Sequence, residues 1–186
     1  MVRVVITGVP ATGKSTVARL LADSRHLNSG LIPIKKIVLD SGIRKGGEVD
    51  VNILARKVRV LVRNKKNYVL EGHLACEFAV PADFVFVFRA KPELLVRRYK
   101  KRRYGRQKIA ENVSAELLDY CLVKSQENYG KAIYGKDVQI MEIDTTNRTS
   151  LACVRLILDI LSNKRKKADT VRYNLSKYLK YLQYLQ

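Results

Sequence analysis

The run Gly8-Val9-Pro10-Ala11-Thr12-Gly13-Lys14-Ser15-Thr16 combines two glycines, a lysine and two adjacent hydroxyls at the spacing G-x-x-x-x-G-K-[ST]. It follows the apolar stretch Val2-Arg3-Val4-Val5-Ile6 and precedes Val17-Ala18-Arg19-Leu20-Leu21, so a strand feeds a loop that opens a helix. A phosphate chain can be wrapped only where the backbone turns tightly and aims several N–H groups inward at a helix N-terminus. Gly8 and Gly13 permit that turn. Lys14 then supplies a point charge to the outer phosphates, and the Ser15 hydroxyl is a ligand for Mg²⁺ bound to the same oxygens.

A second reactive group closes the apolar run Tyr68-Val69-Leu70 as Glu71-Gly72-His73. In a parallel sheet the carboxyl ends of the strands face the ligand crevice, so Glu71 and His73 are expected to project toward the first loop. There a carboxylate acts near the metal ion and an imidazole on phosphate or a water; a capping acid and a surface histidine are the plainer alternative. The third group is cationic: Arg97, Arg98, Lys100, Lys101, Arg102 and Arg103, with Arg106 and Lys108 just beyond and no acid between them. Most such runs are solvated helix faces. At a helix-to-helix junction beside a phosphate loop this one reads as a lid, about residues 101–111, with Arg98 and Arg102 closing over a transferring phosphoryl group.

The elements that must hold these groups alternate. Leu31-Ile32-Pro33-Ile34 is a short strand, and Lys35 to Asp50 is irregular and rich in glycine and lysine, the place for a substrate arm at about residues 30–50. Val51 to Val62 carries apolar residues at helical spacing, and Phe84 to Arg89 is a continuous apolar strand, as in a sheet covered on both faces. Helices are predicted from Pro92 to Arg103 and, as one long element, from Glu111 to Tyr129. A strand over Val138–Asp144, the turn through Arg148 and a helix over Leu151–Leu161 complete a three-layer α/β sandwich on a parallel sheet of five strands. Beyond Asn163 the composition turns basic. Asp169 is placed to cap a last helix with the stripe Val171, Leu175, Tyr178, Leu179, Leu182 and Leu185, whose other side mixes Tyr173, Tyr181 and Tyr184 with Lys177 and Lys180 and could bind phosphate and stack bases or simply be solvated. The domain is therefore expected over 1–163, with a basic helical extension over 164–186.

With 186 residues and 47% hydrophobic content the chain suits one globular domain. No apolar run approaches a membrane span and Met1 leads straight into the first strand, so a cytoplasmic protein is expected. Cys76, Cys121 and Cys153 are odd in number and far apart, which argues against a disulfide or zinc framework. The charge is more telling: 36 Lys and Arg against 17 Asp and Glu leave +19. That surplus exceeds what a phosphate site needs and points to a polyanionic partner, RNA first.

Gly8 to Thr16, Glu71-Gly72-His73, and Arg102-Arg103-Tyr104 followed by Lys108-Ile109-Ala110-Glu111-Asn112 occur together and in order. Over about residues 1–163 the chain resembles the adenylate kinase isoenzyme 6 family, the nuclear-type adenylate kinase and ribosome assembly ATPase family, and its archaeal members in particular. The resemblance implies a nucleoside monophosphate kinase-like P-loop NTPase fold. It implies ATP phosphate contacts from Gly13, Lys14, Ser15 and Thr16 within a loop that Gly8 and Ala11 complete, a lid contact from Arg102, and an adenine neighbour in Arg148. In the family's acid-x-His signature the acid, here Glu71, acts through Mg²⁺ by way of water, and the histidine, here His73, supports transfer or hydrolysis. It further implies phosphoryl transfer between ATP and AMP or another nucleoside monophosphate, ATP hydrolysis, a small-subunit ribosomal protein of the platform as partner with rRNA contact through the basic surface, and a role late in small-subunit (30S) maturation. A housekeeping monophosphate kinase and a nucleic-acid 5′-kinase or RNA-binding module are the alternatives. Three departures stand out. Ala11 and Arg103 replace family glycines, and Ala11 is compatible with the loop only at negative φ; the segment Leu31 to Asp50 is shorter than the family's monophosphate arm and lacks its acidic pattern, which favours hydrolysis over efficient AMP phosphorylation.

Overall fold

Five of the apolar runs assemble into one parallel sheet. The computed structural model describes residues 1–25, 27, 29–45, 48–131, 134–135, 137–164, 169–173 and 175–178. β1 (Arg3–Thr7) leads through the glycine-containing loop into α1 (Lys14–Ala22), followed by β2 (Gly30–Pro33) and α2 (Ile34–Ser41). β3 (Arg44–Lys45) and β4 (Glu48–Val49) pair antiparallel by themselves, and α3 (Val51–Val62) starts at Asp50, whose carboxylate accepts the Ile53 N–H. β5 (Tyr68–Glu71) runs into a 3₁₀ turn at His73–Cys76, and β6 (Phe84–Arg89) into α4 (Pro92–Lys101), α5 (Arg106–Leu117) and α6 (Tyr120–Tyr129). β7 (Gln139–Asp144) and α7 (Ser150–Leu161) close the sandwich. The sheet order is β2-β5-β1-β6-β7, parallel throughout.

Alternation along the strands decides which helix covers which face. Val4, Ile6, Val69, Phe86 and Phe88 point into a core with Val17 and Leu21 of α1 and Cys153 and Ile157 of α7. Val5, Leu70, Val85 and Val87 point the other way, against Leu54 and Val58 of α3, Leu95 and Tyr99 of α4 and Val113 of α5. Ile6 is in register with both Glu71 and Phe86, so β1 and β5 end within a residue of each other, β6 runs two residues past Thr7, and all three present their following loops on one rim. Cys76, Cys121 and Cys153 are free and buried. No helix among the described residues is long and apolar enough to cross a membrane.

Three expectations need correction. Residues 35–50 are not irregular throughout, since α2 occupies most of the first half, its Ile34, Ile37 and Val38 buried. The predicted long helix over Glu111–Tyr129 breaks at Leu118 and Asp119. Asp119 is left-handed at φ 54, a conformation Asp tolerates, and its carboxylate receives the buried Arg89 guanidinium. Arg89 also donates 2.8 Å to Glu116 Oε1 and 2.6 Å to Glu142 Oε1. A charge this deep is tolerable only when so paired, and the pairing dictates the bend between α5 and α6.

The tail is the third correction. Asp169 does not cap a helix: it bridges Glu142 antiparallel along β7, which would otherwise be an open sheet edge, and its carboxylate accepts the Asp144 N–H at 3.0 Å. Tyr173 packs under Arg89 and donates to Glu116 Oε1 at 2.7 Å instead of facing outward. Leu175–Tyr178 is a 3₁₀ turn, and Lys177 pairs with Glu93 at 3.0 Å. Leu179, Lys180, Tyr181, Leu182, Tyr184 and Leu185 lie outside the described residues.

Candidate functional site

The loop between β1 and α1 has the shape its glycines allow. At Gly8 φ is 135°, and a Cβ there would lie 2.3 Å from the Phe88 carbonyl oxygen, so only glycine lets β6 pass so close. Gly13, φ 94°, stands at the N-cap of α1 with no side chain across the first-turn N–H groups, which stay open to an anion. Ala11 contradicts the expectation of negative φ: it sits at 65°. Its carbonyl accepts 2.7 Å from Arg98 Nη1, a bond that holds the residue in this strained region. Inside the loop, Lys14 Nζ and Thr12 Oγ1 each lie 3.0 Å from the Val9 carbonyl.

Around this loop the strand ends bring the other groups in. Ser15 Oγ donates to Glu71 Oε1 at 2.9 Å, which joins the hydroxyl and the carboxylate that reach the site from α1 and β5. Two hard oxygen donors beside an open anion cradle fit Mg²⁺. Among the described residues there is no cluster of three or more His, Cys, Asp or Glu, so the rest of such an ion's shell would be phosphate oxygens and water. His73 follows, its carbonyl accepting from Thr7 Oγ1 at 3.2 Å. The residue is exposed at the rim, yet the surrounding protein first, and then the nearby Lys14 and Lys108 charges, push its imidazole down to about 4, so it is neutral at pH 7.

Two causes act together in the crevice, burial first and neighbouring positive charge second. Burial, then the neighbouring Arg102, lowers the Lys14 ammonium against the pull of Glu71. Burial, then Arg102 and Arg97, likewise lowers the Arg98 guanidinium. Arg102, at the end of α4, is exposed and near enough to act on both. A polyphosphate supplies the missing negative charge.

Thr16 lies in the first turn of α1 with its side chain exposed. Arg148 follows β7 as predicted, but its guanidinium is held by the Asp169 carboxylate, with Nη2 to Oδ1 at 3.0 Å, and donates to the Asp144 carbonyl at 2.8 Å. Two contributors were not anticipated. Tyr99 donates to the Pro10 carbonyl at 2.9 Å, and Thr145 Oγ1 lies 2.9 Å from the carbonyls of both Thr12 and Arg89. Tyr99 directly follows Arg98 in the sequence, which is the one local hint; Thr145 reads only as part of a turn.

A phosphate loop, the acid-ended strand β5 and arginines at the exit of α4, on a five-stranded parallel sheet, define a P-loop kinase. Shikimate kinase from Acinetobacter baumannii shares this fold, with a TM-score of 0.54 over 89% of this chain and 97% of that one at 22% identity. Residues 4–119 match the AAA domain family AAA_18. The chain is 37% identical to a Thermococcus onnurineus protein named "Putative adenylate kinase", over 97% of this chain and 95% of that one. It is 30% identical to a Methanocaldococcus jannaschii protein of the same name, over 97% of each. The chain belongs to this archaeal adenylate-kinase-like family of nucleotide kinases.

Proposed function

We propose that the chain is a cytoplasmic, Mg²⁺-dependent adenylate kinase and ATPase of the isoenzyme 6 branch. It transfers a phosphoryl group between ATP and AMP or a related nucleoside monophosphate, and hydrolyses ATP, during late maturation of the small ribosomal subunit. The observation that carries the catalytic part is the 2.9 Å contact between Ser15 Oγ and Glu71 Oε1 at the rim of an open N–H cradle. Ser15 directly and Glu71 through water would hold Mg²⁺, which neutralises charge on the β- and γ-phosphates when bound. The loop N–H groups bind the phosphate chain and Lys14 balances its outer charge. Arg98 anchors the loop, while Arg102, in the lid formed by the turn between α4 and α5, comes down over the transferring group. Neutral His73 can accept a hydrogen bond from an attacking water or a proton from it. Within the arm, α2 and the β3–β4 pair form the monophosphate wall, and Arg148 stands by the base. The ribosomal part is supported by the family resemblance and by the net charge of +19, which suits rRNA and a platform protein as partners.

ATP turnover with Mg²⁺, measured alone, with AMP, and with small-subunit rRNA or the platform protein, tests the reading. ADP formed in pairs on AMP addition supports the kinase. Slow hydrolysis indifferent to AMP but altered by the ribosomal component supports the assembly ATPase. No ATP turnover under any condition overturns both.

A further inference from the structure

The outer side of the phosphate loop is held by three hydroxyl or guanidinium donors on three successive carbonyls. Tyr99 reaches Pro10 at 2.9 Å, Arg98 reaches Ala11 at 2.7 Å, and Thr145, whose single hydroxyl proton is shared with the Arg89 carbonyl, lies 2.9 Å from Thr12. The described residues contain no cis peptide bond, and in a trans peptide the carbonyl of one residue and the N–H of the next point in opposite directions. Pulling the carbonyls of Pro10, Ala11 and Thr12 outward therefore turns the N–H groups of Ala11, Thr12 and Gly13 inward, toward the anion cradle. The left-handed Ala11 is part of this arrangement, since it lacks the freedom of glycine and relies on tertiary contacts to stay at φ 65°.

We propose that Tyr99 is a positioning residue for phosphate binding: its hydroxyl fixes the Pro10–Ala11 peptide so that the loop donors are aligned before nucleotide arrives. The inference rests on the nucleotide-kinase reading and adds to it the residue that preorganises the site. Tyr99 is fully buried and cannot touch a substrate, so it acts only through the loop. It also carries the lid turn. The Tyr104 ring stacks on it with centroids 5.4 Å apart and planes 7° apart, the Tyr104 N–H donates to the Tyr99 carbonyl at 3.1 Å, and Lys108 sits 4.6 Å over the Tyr104 ring. One side chain thus supports both the loop that binds phosphate and the turn that closes over it.

The test is Tyr99→Phe, which deletes the hydroxyl and keeps the buried ring, with ATP and inorganic tripolyphosphate as probes by calorimetry. Both are expected to bind about fivefold more weakly, the fold-change that one net hydrogen bond is worth. Tyr68→Phe is the matched control. It removes another buried tyrosine hydroxyl from a carbonyl, that of Pro81, at the opposite end of the strands, and is expected to lower the melting temperature while leaving both affinities unchanged. Thr145→Val, which frees the Thr12 carbonyl, is expected to weaken tripolyphosphate in the same direction and serves if Tyr99→Phe does not fold. Wild-type affinity in the folded Tyr99→Phe protein, or an equal loss in Tyr68→Phe, overturns the proposal while leaving the kinase reading intact. Failure of the wild-type protein to bind either probe overturns the kinase reading and the proposal with it.

Discussion

The phosphate loop and the turn between α4 and α5, both rich in polar groups, are built on opposite plans. In the loop, Lys14 and Thr12 are buried and bonded to the Val9 carbonyl, Ser15 is bonded to Glu71, and the next three carbonyls are each held from outside. In the turn between α4 and α5 and at the start of α5, Arg102, Arg103 and Arg106 are exposed, and Arg102 adds to the burial that lowers Lys14 and Arg98. One region is bonded throughout; the other carries exposed charge that, on the proposed function, the phosphates of a nucleotide would balance. Preorganised donors spend no reorganisation energy during reaction, whereas a mobile cation contributes when the site closes.

That contrast is tested most severely at Lys14. Lys14→Ala is expected to lower ATP turnover about 10³-fold, the scale of losing a preorganised charged donor, while the melting temperature moves little. Turnover near wild type in a folded Lys14→Ala protein would refute the site. Arg102→Ala comes next. A fall in kcat of about 10²-fold is expected, with ATP affinity within a few-fold and unchanged stability, because the side chain is exposed and its charge matters only on closure. If ATP affinity fell as far as kcat, the lid charge would belong to the preformed site and the distinction between the regions would fail.

A smaller effect separates the same regions through the backbone. Ala11 and Arg103 stand where the resembled family has glycine, and both are left-handed, at φ 65° and 57°. Glycine relieves the strain but adds unfolded-state entropy, so either replacement is expected to stabilise the protein by about 0.5 kcal/mol in urea unfolding. Their consequences for function differ. Arg103→Gly leaves the ATP KM alone, whereas Ala11→Gly raises it severalfold because the loop gains freedom that the Arg98 contact now restrains. Equal KM values in the two variants would place no premium on a rigid loop.

The sequence made the loop and the five strands of the main sheet legible because their signals are local, whereas the two-residue strands β3 and β4 carry no such signal. Gly8 to Ser15 is contiguous, β6 is a run of Phe and Val with one possible reading, and α3 begins where Asp50 can cap it. What stayed hidden depends on partners far along the chain. The bend at Asp119 answers to Arg89, Tyr173 is drawn inward by Glu116, and Asp169 pairs with β7 and Arg148 instead of starting a helix. Periodicity cannot see such contacts. The positive φ at Ala11 shows the same limit: alanine in a glycine position argued for a changed backbone, but the backbone was kept and a guanidinium supplied to hold it.

His73 lies between the two regions, with Lys14 of the loop and Lys108 beyond the lid turn both acting on it, and its titration gives the mildest test. Its pKa is pushed from the ordinary 6.5 to about 4, by burial first and the two lysines next. A histidine whose folded pKa is depressed contributes stability that is fully present above 6.5 and lost as pH falls from 6.5 toward 4, because protonation is easier in the unfolded chain. His73→Gln is expected to flatten that part of the stability–pH profile. The change is modest, since His73 is exposed and its charge is screened by water. Bound phosphates oppose both lysine charges, so ADP is expected to raise the midpoint of the His73 imidazole in an NMR titration. A midpoint at or above the ordinary value in the free protein, or no response to ADP, would mean that His73 does not sense the phosphate site, and its role in transfer or hydrolysis would then be lost along with its place between loop and lid.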